Sequence, residues 1–485
     1  MYKIFKRFLN IISNYLNSVF LYFGFKTLII RLDDYTKKIK SLDNKNISKY
    51  LKNLKYYRFL EGSIIEKDFQ EILVSWIECD SNFFKKIEKY YLTREEQLKK
   101  KNLDDIKIDF IDKAIFTGAF GMPYHFQVYM EANELSFNES KPVTLISNEL
   151  FSYKKKYSIT NNFLFSYFKK FLKVISENKD INIFLLLSEE LNLPIKLIIP
   201  IKKKFLQIEI AKNIVTTEQN RRKIFKPFLT LSNEHNLSAK KSLSKLGINI
   251  EKDWFVTLHV RETGWHENNN SEFFRNANIN DYNLAVEYIL NKGGKEVRVG
   301  NDKMVKLVEK PGIIDYAHYT NKSEELDIFL GAKSRFCLAT SSGFFRVPGY
   351  FNVPVILTNS TNTIVYFGLK NKDIFLPTLL KNKETNQFIS LKNIMFPPYS
   401  MVAYDVEKKY QKWNLEIVKN SPEDILIATE EMINRLNNNN FFDLTTLQKK
   451  MKDLININQN IYTTETINAH ALFPDKFLIK HRDLL

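Results

Sequence analysis

The sequence predicts an α/β protein of two domains facing a cleft, with an added helical region at its N-terminus, and three observations carry that expectation. The first is size: 485 residues at 44% hydrophobic and 14% aromatic content exceed what one core needs, so two domains are the natural division. The second is a regular alternation of strand and helix patterns from Trp254 to Asn359, which specifies a mostly parallel sheet. The third is a shorter strand-loop-helix series within residues 106–235.

Taken in order, the chain starts with basic residues followed by apolar ones as far as Phe25. Asn10, Ser13, Asn14, Asn17 and Ser18 interrupt the apolar run, and it has neither a small-residue cleavage site nor the ~20 apolar residues of a membrane span. What remains is an amphipathic helix with Lys3, Lys6, Arg7 and Lys26. Two readings stand side by side: contact of residues 1–30 with the inner membrane surface, or packing against the N-terminal domain. Helical periodicity continues from 34 to 105, which makes 1–105 a helical region.

An apolar strand at 112–117 then runs into the loop Gly118-Ala-Phe-Gly121, followed by a helix through Glu134. Strands follow at 142–147, 182–187 and 198–201. Together these form an N-terminal α/β domain over 106–235. Lys-rich, polar, helical sequence from 202 to 250 marks the junction with a second domain, 236–430. That domain is expected to run strand 254–261, long loop, helix 281–291, strand 296–300, short helix, strand 312–315, helix 324–331, strand 335–340, turn and helix from Ser342, strand 354–358. A loop-rich stretch containing Phe375-Leu-Pro-Thr and Phe396-Pro-Pro-Tyr399 leads to a strand at 415–418. A helix starts with Ser421 as cap and Pro422 in its first position, and a helical extension covers 431–485.

Lys+Arg 72 against Asp+Glu 55 gives a net charge of +17, which suits partners bearing phosphate. The excess is spread through Lys-rich and Asn-rich helices, so charge alone does not choose among nucleotide donors, nucleic acid and an anionic membrane. Cys79 and Cys337 stand far apart without Cys or His partners at metal spacing, a usage that fits a reducing cytoplasm and indicates neither a disulfide framework nor a zinc site. A Gly-x-x-x-x-Gly-Lys-Ser/Thr loop, a Gly-x-Ser-x-Gly elbow, a His-Glu-x-x-His pair and an inter-strand Asp-x-Asp are all missing. No metal and no cofactor are expected.

Chemistry concentrates at strand ends, where open parallel sheets place their ligands. His259 and Arg261 leave one face of the 254–261 strand, followed by Glu262 and Gly264 in a Gly-containing loop. Arg261 offers a planar fork to a diphosphate, worth about 1.5 to 3 kcal/mol for one such charge-assisted contact. The alternative is that Arg261 pairs with a structural acid such as Glu262 or Asp315. The following loop is longer than ~12 residues, a length typical of binding loops, and ends near Arg275 and Asn276, with Arg275 a second anion contact or a solvated surface residue. Thr340-Ser341-Ser342-Gly343 breaks a buried strand into hydroxyls and glycine, offering backbone N–H groups and hydroxyls to phosphate. Helix capping accounts for one of these hydroxyls and leaves the rest unexplained. Gly300, Asp302 and Asp315 add polar groups to the same rim, either acid being suited to a ribose or base edge. On the acceptor side, Gly118 and Gly121 border the cleft, and His125 or Glu131 can deprotonate an acceptor hydroxyl; ordinary packing is the other reading of His125.

The stretches His259-Val-Arg-Glu-Thr-Gly264, Arg275-Asn276-Ala-Asn-Ile279, Tyr282, Gly293-Gly294, Val297-Arg-Val-Gly300, Ile314-Asp-Tyr-Ala317, Leu326-Asp327-Ile-Phe-Leu330 and Thr340-Ser-Ser-Gly343 together resemble an uncharacterised family of bacterial glycosyltransferases. The likeness covers roughly residues 229–359 and is weaker at 118–121 and 420–435. It implies two Rossmann-like domains facing a cleft (GT-B type), metal-independent sugar transfer from a nucleotide-diphosphate sugar to a glycan or lipid-linked acceptor, and a role in surface polysaccharide assembly. The implied setting is cytoplasmic, peripheral to the inner membrane, with no nucleic-acid partner. The implied donor site comprises Arg261 as diphosphate contact, Thr340 to Gly343, and the motif residues around them, Asp327 included. Through the His-x-Arg strand end the chain is also distantly similar to the fucosyltransferase superfamily, but Glu262-Thr-Gly264 replaces that superfamily's Gly-Asp-Asp, so a guanosine-diphosphate-fucose donor is not supported. A polysaccharide pyruvyl-type transferase and a non-catalytic glycan-binding or membrane scaffold remain as alternatives.

Overall fold

The computed structural model describes residues 120–121, 123–137, 143–146, 160–175, 198–201, 204–262, 274–396, 399–400, 406–457 and 466–485. The helical region expected over 1–105 with its membrane-facing start, the strands expected at 112–117 and 182–187, Gly118 and Gly264 lie outside the described residues. The chain divides into two compact units: Met1–Phe110 with Ile175–Ile195 and Lys203–Phe205, and Ile111–Val174 with Lys196–Lys202 and Leu206–Leu485. Nearly all the described residues belong to the second unit.

Before the main sheet the chain forms α1 (Tyr124–Glu134), β1 (Val143–Ile146), α2 (Asn162–Lys169), β2 (Leu172–Ile175), β3 (Ile198–Ile201), β4 (Lys204–Gln207), α3 (Ile208–Arg221) and α4 (Asn233–Lys245). The start of the Lys-rich junction is less polar in place than in sequence. Every residue of α3 from Ile208 to Thr216 is buried, because the helix packs against α1 and against the turn at Thr363–Gly368.

The core is a six-stranded, wholly parallel sheet of β5 (Phe255–His259), β6 (Lys295–Arg298), β7 (Ile313–Asp315), β8 (Phe336–Thr340), β9 (Val355–Ser360) and β10 (Ile374–Pro377), in the order β10-β9-β8-β5-β6-β7. This is a mixed α/β fold of the doubly wound kind. The chain lays down β5, β6 and β7 outward in one direction, returns to the other side of β5 for β8, and continues outward to β10. Parallel strands need crossovers, and α5 (Asn283–Asn291), α6 (Glu324–Lys333) and α7 (Arg346–Tyr350) supply those from β5 to β6, β7 to β8 and β8 to β9. All of β8 and β9 is buried, as expected for inner strands covered on both faces. Ser323 caps α6 by accepting from Leu326 N, and Glu324, Glu325 and Asp327 occupy its first turn, where acids meet the helix dipole favourably.

Two expectations are corrected. The short helix expected between Gly300 and Gly312 is a turn and extended chain, because its amides are captured by side chains: Val305 N donates to Glu262 Oε2 at 2.9 Å and Leu307 N to Asp315 Oδ2 at 2.9 Å. The Phe375-Leu-Pro-Thr stretch expected as loop is the edge strand β10, which tolerates Pro377 at its last position. Beyond it, β11 (Leu379–Asn382) pairs antiparallel with β12 (Leu415–Val418), the intervening chain passing through α8 (Leu391–Ile394) and α9 (Val406–Lys412). The remaining elements are α10 (Pro422–Asn438), α11 (Thr446–Ile457) and α12 (Asp475–Lys480). α10 packs on α5, β9 and β10. Among the described residues, no helix is long and apolar enough to cross a membrane.

Candidate functional site

A doubly wound sheet has one place where neighbouring strands send their connections to opposite sides, and a crevice opens there at the carboxyl ends. In this chain the place is between β5 and β8. β5 ends at His259 and leads to Arg261; β8 ends at Thr340 and leads to Ser341, Ser342 and Gly343. The two sequence-predicted walls therefore stand side by side. Arg261 N donates to Thr340 Oγ1 at 2.9 Å, Ser342 Oγ and His259 Nδ1 lie 3.0 Å apart, and Arg275 Nε donates to the Ser341 carbonyl at 2.8 Å. Thr340, Ser341 and Ser342 are buried, whereas His259, Arg261, Arg275, Asn276 and Gly343 are half-buried.

The His259 ring stacks on Phe344 with centroids 5.7 Å apart and an interplanar angle of 14°. Burial, reinforced by the nearby charges of Arg298, Arg261 and Arg275, holds its imidazole down to about 4. It is therefore neutral near pH 7, and the cationic character of the crevice comes from its arginines. Among the described residues, no cluster of three or more His, Cys, Asp or Glu is disposed to hold a metal ion.

Of the other predicted residues, Gly121 touches this centre and the rest lie on neighbouring elements. Gly121 abuts the β8 turn: a Cβ there would lie 3.1 Å from Gly343 Cα, and Phe120 meets Phe344 edge-on at 6.1 Å. The Gly121 loop and the hydroxyl turn are thus neighbours. His125 is half-buried in the first turn of α1, edge-on to Tyr124. Glu131 is buried and bound to Lys212 and Gln127, and those partners outweigh burial to lower its carboxyl pKa, so it belongs to the core. Gly300 lies two residues beyond β6, Asp302 is exposed in the turn that follows, and Asp327 faces Tyr316 from α6, where burial raises its carboxyl to about 6. Glu262 and Asp315 both bind Arg298, with Nη2 to Glu262 at 3.1 Å and Nη1 to Asp315 at 2.8 Å.

Sequence reasoning missed two features. The first is Arg298, completely buried at the end of β6; in sequence it is one of three charged residues in the strand Lys295-Glu-Val-Arg298, and nothing marks it out from the other two. The second is a buried charge cluster behind the β8 turn. Arg346 pairs with Glu209, its guanidinium lies 3.6 Å above the Tyr124 ring, and Tyr124 Oη donates to Glu209 Oε2 at 2.8 Å. Gly368 approaches so closely that a Cβ would fall 1.8 Å from Glu209 Oε2. On the far rim, Asn359 N donates to Asn420 Oδ1 at 2.6 Å and Asn420 N to Asn359 Oδ1 at 2.8 Å. Lys419 Nζ donates to the Phe274 carbonyl, which anchors the residue before Arg275.

No family model and no curated protein matches the sequence. Among solved structures, the chain is similar to the glycosyl transferase family 9 protein from Veillonella parvula DSM 2008 at 11% identity, over 64% of this chain and 78% of that one, with a TM-score of 0.29. That likeness is too slight to carry either the fold or an activity.

Proposed function

We propose that the chain is a glycosyltransferase that takes its sugar from a nucleotide-diphosphate donor held at the β5–β8 crevice and passes it to a glycan or lipid-linked acceptor. The observation that carries this reading is the meeting of Arg261 and Arg275 with the Thr340–Gly343 turn at the sheet's switch point. Cations, hydroxyls and backbone amides in one recess suit a diphosphate. The transfer of a sugar, rather than another phosphate-linked group, rests on the resemblance of the motif set between His259 and Gly343.

In this reading Arg261 meets the leaving diphosphate, and the Thr340–Gly343 turn shares its charge, so the developing anion is stabilised electrostatically without a metal. Neutral His259 orients Ser342, the Gly121 loop borders the acceptor, and His125 is the candidate base on that side. Nucleoside diphosphates at 100 times their dissociation constant then stabilise the folded chain by about 2.7 kcal/mol, read as a rise in melting temperature. Arg261→Ala is expected to remain folded, to lose that response, and to lower turnover by about two to three orders of magnitude. A rise with phosphoenolpyruvate alone would point to a pyruvyl transferase instead. A folded Arg261→Ala chain that binds and transfers normally would falsify the assignment.

A further inference from the structure

Arg298 is the last residue of β6 and has no solvent exposure. A guanidinium so placed is tolerated only when its charge is paired; both terminal nitrogens are bonded, while Nε has no hydrogen-bond partner among the described residues. Nη1 donates to Asp315 Oδ1 at 2.8 Å; Nη2 donates to Glu262 Oε2 at 3.1 Å and to the Val305 carbonyl at 2.8 Å. The two carboxylates reach further. Glu262 Oε2 accepts Val305 N and Asp315 Oδ2 accepts Leu307 N, both at 2.9 Å. One buried cation thereby fastens the exit of β5, the end of β7 and the segment from Val305 to Leu307 into a single unit.

Arg261 stands immediately before Glu262, and its own backbone is fixed on both sides. Its N–H donates to Thr340 Oγ1 at 2.9 Å, and its carbonyl accepts Ala277 N at 2.9 Å. With the next side chain held by Arg298, the course of the chain through Arg261 is set from three directions. The carboxylates of Glu262 and Asp315, which sit on the rim where a ribose would lie, are turned instead to the buried guanidinium.

We propose that Arg298 and Glu262 are positioning residues of the diphosphate site, holding the β5 exit so that Arg261 faces the anion, and that Glu262 and Asp315 serve Arg298 rather than the ligand. The proposal rests on the reading that Arg261 meets a diphosphate. A residue acting through Arg261 weakens every diphosphate equally, whereas a ribose contact weakens only ligands that carry ribose. Its effect also vanishes once Arg261 is gone.

The experiment titrates uridine diphosphate and inorganic pyrophosphate into the full chain by calorimetry, in the wild type, Glu262→Gln, Arg261→Ala and the double variant. Glu262→Gln keeps the size of the side chain and removes its charge, and Arg298→Lys serves as a second probe of the same bond set; melting curves show that each variant is folded. The expected result is a loss of roughly ten- to a hundredfold for both ligands, the scale of a site group displaced by about an ångström. Glu262→Gln should then have no further effect in the Arg261→Ala background. Three results overturn the proposal while leaving the site reading intact: unchanged binding by Glu262→Gln and Arg298→Lys, a loss confined to uridine diphosphate, or an undiminished loss in the double variant. Wild-type protein that binds neither ligand overturns the site reading and the proposal with it.

Discussion

At the scale of single residues, the most informative side chains are those whose charge state the fold changes. Glu296 lies two residues before Arg298 on β6, is 1% exposed, and has no hydrogen-bond partner on either carboxyl oxygen among the described residues. Burial, aided by the charge of Asp315 and opposed by Arg298, pushes its carboxyl up to about 8 from an ordinary value of 4.5. Between those two values the folded chain keeps a proton that the unfolded chain has released, so stability declines as pH rises across that window and levels off above it. Glu296→Gln mimics the protonated acid and removes the decline. The variant should gain on the wild type by about 1 kcal/mol for each pH unit between pH 5 and 8. Urea unfolding at several pH values measures this, and parallel stability curves would refute it. The placement of Arg261 and Thr340 at strand ends was legible in sequence because each follows an apolar strand and leads into a polar run containing glycine, the edge where open sheets place ligands. The partner of Glu262 and Asp315 was not legible, because Arg298 reads as one charged residue in a strand until β5, β6 and β7 are adjacent.

At the scale of elements, the sequence announced most boundaries through local chemistry. α10 is the clearest: Ser421 Oγ accepts Asp424 N, the Asp424 carboxylate accepts Ser421 N, and Pro422 sits in the first turn. Ser421→Ala removes one side of this capping box and should cost about 1 kcal/mol of stability, measured by denaturant unfolding. A loss below a few tenths would show that tertiary packing alone sets the helix start. Elements were misread where long-range partners supply the backbone's hydrogen bonds. The 301–312 segment lacks helix because carboxylates from two other strands take its amides, and β10 is a strand despite Pro377 because β9 pairs it along one edge. Neither partner can be seen in a local window of sequence.

At the scale of the whole molecule, the second compact unit joins residues far apart in the chain. Glu209 on α3 pairs with Arg346 on α7, 7% and 9% exposed respectively, and Tyr124 on α1 completes the cluster. Breaking a buried pair leaves an uncompensated charge, so Arg346→Met should destabilise the chain by about 3 to 5 kcal/mol. Adding Glu209→Gln should return most of that loss, because the remaining partner is then neutral. Single and double variants compared in denaturant give the coupling directly, and additive losses would show that the two charges do not depend on each other. Because Arg346 lies just beyond Gly343, this cluster also backs the turn that forms one wall of the crevice.

The sequence by itself determined the α/β class, the strand positions from 255 to 360 and the polar runs at two strand ends, because hydrophobic periodicity, caps and glycine-hydroxyl runs are local properties of the chain. Only the tertiary structure decided that those ends adjoin. Strand order is set by which crossovers bury both faces of the sheet, and that places β8 beside β5 rather than beside β7, its predecessor in the chain. The same packing put Arg298 against Glu262 and Asp315 and Arg346 against Glu209, since a buried charge is stable only where several distant segments can meet it at once.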